Sequence, residues 1–356
     1  MIDLVTARVA GRDFSSWQTV SITSSIETAC RSVQLEASGL DAEDVPIYME
    51  DSIEIRIDKK LVLTGKVTGL GGDDDASDRT FEFAARSNTL DIVDCSNIAA
   101  RTHTNITILR LAQKLCAPYG VTVVAGSADP LLTDPISRFT VEPDENVYAA
   151  LERAGRLRAM LMYDDPQGRL VLQVGAKGRF PLQIGAIIKH GANKVSASSS
   201  IDGAPLFSQY RIKGQRFGSD NDSGAPIAIV GASATADGTR RLRVKTLISK
   251  SSLSPAKAKT RAKWEASNSF GRAVTYTGVV RGWRDQAGVL WEPGTLIEID
   301  DPVRRFQGQF LVTTVNYTKS VEDGTRTAVT VAPEGGYYAE LPESPRQGIR
   351  AWRALR

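Results

Sequence analysis

One β pattern is written twice in this chain, far apart, and any fold must house both copies. Near the start, Ile53-Glu54-Ile55 leads into Leu61-Val62-Leu63-Thr64-Gly65-Lys66-Val67 and, past an acidic turn, into Arg79-Thr80-Phe81-Glu82-Phe83-Ala84-Ala85. Near the end, Ile297-Glu298-Ile299 leads into Phe306-Gln307-Gly308-Gln309-Phe310-Leu311-Val312 and, past a charged turn, into Arg326-Thr327-Ala328-Val329-Thr330-Val331-Ala332. A chain with two copies of one barrel offers two equivalent contacts to a ring, which points to assembly geometry rather than catalysis. Ile53 to Ala85 and Ile297 to Ala332 are expected to occupy equivalent strands of two barrels.

At 356 residues the chain exceeds the size at which one core stops growing, so two or three domains are expected. Hydrophobic residues make up 42% and charged residues 24%, and no window approaches the run of about 18 to 20 apolar residues that a membrane span needs. Met1-Ile2-Asp3-Leu4-Val5 has neither the basic segment nor the apolar stretch of a secretory signal, so synthesis and retention in the cytosol are expected. Cys30, Cys95 and Cys116 are an odd number without short spacing, which argues for buried free thiols over a disulfide framework or a zinc site. A net charge of +3 is far from the concentrated positive field of a dedicated nucleic-acid binder.

The fold class is mainly β with α+β insertions: two similar antiparallel β-barrel domains, a small α/β insert and a C-terminal tail. Short apolar runs with period-2 alternation place strands at Leu4 to Val9, Thr19 to Thr23, Ser32 to Ala37, Ser52 to Ile57, Leu61 to Thr68 and Thr80 to Arg86. Residues 1–97 form the first barrel. Residues 98–185 form the insert, where Thr104 or Asn105 caps a helix carrying Ile106, Leu109, Ala112 and Leu115. A second helix after Pro143-Asp144 carries Val147, Ala150, Leu151 and Ala154, and a hairpin follows at 159–174. Residues 186–215 and 271–335 form the second barrel, with Phe207 to Gly214 as a half-buried strand. Between them, 216–270 is an insertion in which Ile227 to Val230 pairs with Arg241 to Val244 and Ser254-Pro255 starts a helix to about Phe270. Residues 336–356 are the tail.

Little of the sequence can carry chemistry. His103 and His190 are the only histidines, and no zinc-protease, nucleophile-elbow or Walker pattern is present. Gly69 to Asp75 reads as a solvated acidic turn. Asp220-Asn221-Asp222-Ser223-Gly224 begins like a calcium loop, but its twelfth position is Gly231 where a glutamate is required. Asp164-Asp165 and Asp300-Asp301 could flank a glycosidic bond, yet neighbours on a strand face opposite ways and both pairs sit beside proline in turns. No catalytic residue, metal ligand or cofactor is therefore expected. Tyr337 and Tyr338 past the last strand, and Arg350, Trp352 and Arg353 in the tail, are candidate interface or spike-docking residues. The same tail also fits a nucleic-acid arm or a solvated end.

Together, the repeated module, Phe139-Thr140-Val141 with Pro143, Glu145, Asn146 and Val147, Tyr210-Arg211-Ile212-Lys213-Gly214, and Trp291-Glu292-Pro293-Gly294 before the second Ile-Glu-Ile resemble a known family. It is that of the Mu-type baseplate hub proteins of contractile phage tails, related to the late control D proteins. The resemblance covers nearly the whole chain. It implies a homotrimeric ring with pseudo-sixfold symmetry that joins a hexameric tail tube to a trimeric spike, assembled in the host cytoplasm into a virion. It also implies DNA passing through the channel without sequence-specific contacts, and an insert similar to wall-binding LysM folds. Alternative readings are a tail-associated wall hydrolase acting through Asp164 or Asp300 and a nucleic-acid-binding barrel, the latter weak with 7% aromatic residues.

Overall fold

The computed structural model describes residues 3–38, 46–74, 79–158, 160–175, 180–214, 230–235, 241–249 and 253–338. Among them the dominant element is one 13-stranded sheet to which both ends of the chain contribute. From one edge the strands run Lys194–Ile201, Val274–Arg281, Gly324–Ala332, Phe306–Ser320, Thr19–Ser25, Ser32–Ser38, Thr80–Ser87, Lys60–Gly71, Ser52–Ile57, Val5–Val9 and Arg12–Phe14. Leu296–Asp301 pairs with Phe306–Ser320 off this path and carries Leu182–Lys189 in parallel. The mainly β class with α+β insertions stands. The expectation of two closed barrels is corrected, because the sheet stays open and the two modules are joined edge to edge in it.

Alternation explains which face each strand buries. Val20 and Ile22, Val33 and Leu35, Phe83 and Ala85, Val329 and Val331 all point to one side and form a single core with Trp283, Trp291 and Phe306. The opposite side of the same strands carries Thr, Ser, Gln and Glu. A period-2 pattern with one solvated face is what an antiparallel sheet requires.

The insert has its own core, built on Ile108, Leu111, Leu115, Val147, Leu151, Leu170 and Leu172. Its first helix begins later than expected, at Ile108–Cys116, capped by the Thr107 side chain, which accepts from the Arg110 amide. Thr102–Thr107 is instead a strand paired with Pro135–Thr140, so Ile106 sits in a sheet. β-branched Thr102, Thr104, Ile106 and Thr107 suit a pleated surface better than a first helical turn. Asn146 caps the second helix, Val147–Gly155, by accepting from the Ala149 amide. The expected hairpin forms between Met160–Asp164 and Leu170–Val174.

A second correction concerns the later insertion. Val230–Thr235 and Val244–Ile248 do not pair with each other; Gln209–Gly214 lies between them, antiparallel to the first and parallel to the second. The segment with strict alternation takes the centre, with Tyr210 and Ile212 both fully buried. Pro255–Ala273 is helical, with Pro255 at its start and Ser254 accepting from the Lys257 amide, and it packs on that sheet. The calcium-like segment Asp220 to Gly224, Ile227 to Ala228-Ile229 and the tail from Ala339 lie outside the described residues.

Candidate assembly surfaces

The repeat holds down to single hydrogen bonds. In the first copy Ile53 faces Gly65 and Ile55 faces Leu63; in the second, Ile297 faces Phe310 and Ile299 faces Gly308. Both central strands then bulge at the same place, skipping Thr68 after Val67 and Thr313 after Val312. Just before each bulge the valine is pinned alike. Glu50 N–H donates to Val67 O at 2.9 Å and Val67 N–H to Asp51 O at 3.0 Å, while Gly294 N–H donates to Val312 O at 2.8 Å and Val312 N–H to Thr295 O at 2.9 Å. A bulge that recurs in register bends both sheets by the same device.

Strand order repeats as well. Thr19–Ser25, Ser32–Ser38, Thr80–Ser87, Lys60–Gly71 and Ser52–Ile57 follow one another in the first copy; Lys194–Ile201, Val274–Arg281, Gly324–Ala332, Phe306–Ser320 and Leu296–Asp301 do so in the second. The copies diverge at the next strand, where Val5–Val9 joins antiparallel but Leu182–Lys189 joins parallel.

A seam connects the copies inside the chain. The second half of Phe306–Ser320 pairs antiparallel with Thr19–Ser25, Thr314 facing Ser25 and Lys319 facing Val20. Ser25 Oγ lies 2.9 Å from Thr314 Oγ1, and Ile26 N–H donates to Thr313 O at 2.9 Å. Polar clamps reinforce the seam: Arg284 holds Asp3 and Asp58 at 2.6 Å each, and Lys60 pairs with Glu292.

The counterparts of both seam segments recur in the sheet, each paired on one side only among the described residues. Lys194–Ile201, equivalent to Thr19–Ser25, pairs on one side only, with Val274–Arg281. Gly69, Leu70 and Gly71, equivalent to Thr314, Val315 and Asn316, pair on one side only, with Thr80–Ser87. Leu70 is 39% exposed, whereas its equivalent Val315 is 0% exposed.

Between those two segments the polar face of the sheet carries small hydroxyls, half-buried along most of the row and buried at Ser25. Ser198, Thr277, Thr330, Thr314 and Ser25 are successive cross-strand neighbours, and Thr277 Oγ1 lies 2.9 Å from Thr330 Oγ1. A groove of about 350 Å³ continues this face across Ser21, Gln34, Glu82 and Leu70.

Tyr337 and Tyr338 do not present an aromatic surface in the chain. They are buried against Ile26, Leu161, Phe180 and Leu311, and the Tyr337 hydroxyl donates to Glu27 Oε1 at 2.6 Å. Arg350, Trp352 and Arg353 lie outside the described residues. The free edges were missed by sequence reasoning, although the repeat itself was the signal: a duplicated module must have a duplicated seam.

The carboxylates considered for acid-base work are held in structural contacts. Asp164 is fully buried and accepts from the Arg31 amide at 3.0 Å, with the Arg31 guanidinium beside it, fastening insert to first module. Burial raises its pKa despite Arg31. Asp165 accepts turn amides from Gln167 and Arg169. Asp301, also fully buried, meets Lys194 Nζ at 2.5 Å and the Tyr276 hydroxyl at 3.0 Å; Asp300 accepts from Gln307 Nε2 at 3.1 Å. Cys116 is buried and Cys30 and Cys95 half-buried, all three free; burial pushes the Cys116 thiol up to about 12.

Comparison with known proteins places this architecture. Residues 4–87 match the N-terminal domain of Mu phage baseplate assembly protein GpP-like proteins, 89–174 the second domain of baseplate hub protein gp44-like proteins, and 254–340 the fourth domain of Mu phage baseplate assembly protein GpP. Baseplate hub protein gp44 of Escherichia phage Mu is 29% identical over 355 residues, covering 98% of this chain and 92% of that protein. Among solved structures, the 43 kDa tail protein of prophage MuSo2 from Shewanella oneidensis superposes with a TM-score of 0.81 at 23% identity, covering 94% of this chain and 99% of the other. A tail protein from Neisseria meningitidis MC58 does so with a TM-score of 0.81 at 22% identity, covering 96% and 100%; these two likenesses speak to the fold alone. With its domains matched in order and its length matched end to end, the chain belongs to the Mu-type baseplate hub proteins of phage tails.

Proposed function

We propose that this hub is a homotrimeric ring of pseudo-sixfold symmetry that joins a hexameric tail tube to a trimeric spike. The observation that carries this reading is the duplicated five-strand module, with its shared bulge and its seam inside the chain. Three chains then supply six similar modules, which suits a six-fold partner on one side while keeping true three-fold symmetry for the other. A component of the Escherichia coli type VI secretion system, itself similar to T4 bacteriophage tail proteins gp27 and gp5, shares the fold with a TM-score of 0.59 at 10% identity. The Francisella PdpA–VgrG complex contains the fold as well, with a TM-score of 0.55 at 7% identity. These neighbours favour a place between tube and spike.

The hydroxyl face supports a channel role. Small uncharged side chains give passing DNA hydrogen-bonding water and few fixed cations, so no phosphate is held tightly. The role is structural rather than catalytic, with Asp164 and Asp301 engaged by Arg31 and Lys194. The protein acts in the virion after assembly in the host cytoplasm. The domain limits expected from the sequence, 1–97, 98–185, 186–215 with 271–335, 216–270 and 336–356, are proposed with two shifts: Leu182–Lys189 goes whole to the second module, and Gln209–Gly214 goes to the later insertion as its central strand. The tail residues Arg350, Trp352 and Arg353 stay candidate spike-docking residues. Averaged electron micrographs of the purified protein test the reading: rings with six similar lobes and true three-fold symmetry are expected, and a single-lobed particle would contradict it.

A further inference from the structure

We propose that two chains join by strand addition, the Gly69 to Asp74 edge of one copy receiving the Lys194–Ile201 edge strand of a second copy, antiparallel and in a fixed register. This rests on the trimeric reading and specifies how the ring closes. The register follows from the seam already present. Thr314 faces Ser25, Val315 faces Ser24 and Asn316 faces Thr23. The pairings on either side of the central strands make Gly69, Leu70 and Gly71 the counterparts of Thr314, Val315 and Asn316. Following the ladder outward makes Asp202, Ile201 and Ser200 the counterparts of Ser25, Ser24 and Thr23. Between two copies, Gly69 therefore faces Asp202, Leu70 faces Ile201, Gly71 faces Ser200 and Gly72 faces Ser199.

Independent details agree. Asp202 N–H donates to Ala273 O at 2.8 Å, so Asp202 and Ser200 turn their backbone groups inward, and those of Ile201 and Ser199 point out. Thr80 N–H donates to Asp73 O at 2.8 Å, so Asp73 and Gly71 turn inward, and the backbone groups of Leu70 and Gly72 point out. The outward groups on both edges thus meet as hydrogen-bonded pairs. Leu70, 39% exposed, is brought against Ile201 at the site where Val315 and Ser24 are 0% and 4% exposed in the chain's own seam. Lys194–Ile201 has no proline and no charge beyond Lys194 to protect it, the usual devices that keep a free edge from pairing. Because the two edges differ, the contact is head-to-tail, and it closes to a ring when its turn matches that of the internal seam.

Paired cysteines at Gly71 and Ser200 test the register. A Cβ at Gly71 meets nothing within 4 Å, and the facing pair is of the close, non-hydrogen-bonded kind that accommodates a disulfide. The double variant Gly71→Cys with Ser200→Cys, oxidised mildly with copper phenanthroline, is expected to run as a covalent trimer on non-reducing gels. Gly71→Cys with Ser198→Cys, on the same face but two residues out of register, is expected not to. A trimer in solution that fails to link at 71 and 200, or links equally at 71 and 198, would overturn the register while leaving the trimer intact. A second variant reads out independently: Ser199→Pro removes an outward N–H unused within the chain, so circular dichroism should stay unchanged while the mass falls to one third. Retention of the trimer by this variant would overturn the strand pairing, and a monomeric unmodified chain would overturn the trimeric reading itself.

Discussion

Glu50 and Gly294 occupy the same corner of the two modules. Both have positive φ, 68° and 84°, and both donate their N–H to the valine that precedes the bulge. The geometry was kept while the side chain was not. A glutamate in the left-handed region costs about 1–2 kcal/mol, which glycine avoids at the expense of about 0.5–1 kcal/mol of extra chain entropy. Glu50→Gly is therefore expected to stabilise by between nothing and about 1.5 kcal/mol. Gly294→Ala should lose about 1–2 kcal/mol, since φ is unsuitable and Ile26 lies at contact distance. Denaturant unfolding of both variants measures the asymmetry.

Arg31 and Asp164 hold the insert to the first module, and neither side chain has much water to fall back on, at 11% and 0% exposure. Removing one partner leaves the other charge buried and unpaired, at a cost of about 3–5 kcal/mol. Asp164→Ala and Arg31→Ala should each destabilise by that order. The double variant should cost clearly less than their sum, which a double-mutant cycle in urea would show.

Asp164 and Asp301 should respond to acid in opposite senses. Burial raises the Asp301 carboxyl, but Lys194, the Arg304 amide and the Tyr276 hydroxyl together outweigh it and hold it below its ordinary value. Its stabilisation is present above the unfolded value of about 3.9 and fades as pH falls through the lower folded one. Asp164 is raised by burial, so its contribution is present below about 3.9 and is lost as pH rises through the folded value. In unfolding curves across pH, the deficit of Asp301→Asn should shrink on acidification, and Asp164→Asn should gain on the unmodified chain as pH rises.

The Pro255–Ala273 helix meets the turn Glu334–Tyr337 through two glycines, backbone on backbone. A Cβ at Gly336 would land on Gly271. Gly336→Ala is expected to cost about 1–3 kcal/mol or more and to loosen Tyr337 from Glu27. Thermal melting and the near-ultraviolet signal of the tyrosines report both effects.

How far the sequence disclosed this depended on the range of the interaction. Alternation made the strands around Val20, Val33, Ile53 and Phe83 readable, since each needs only its own neighbours to define a face. Ser254-Pro255 likewise announced its helix, because a cap is local. Thr102–Thr107 misled: its threonines serve a cap or a strand equally, and pairing with Pro135–Thr140 decided between them. Lys194–Ile201 was unreadable for another reason. Its serines leave almost no apolar alternation, and one of its edges pairs with nothing among the described residues. That the modules share one open sheet also depends on a seam between residues nearly three hundred positions apart, as in Ser25 with Thr314.

The mass in solution tests the trimeric hub most directly. Native mass spectrometry or sedimentation equilibrium should find a stable species at three times the 38.5 kDa chain, persisting on dilution. A strict monomer at high concentration, or an open-ended series of larger species without a stop at three, would contradict it.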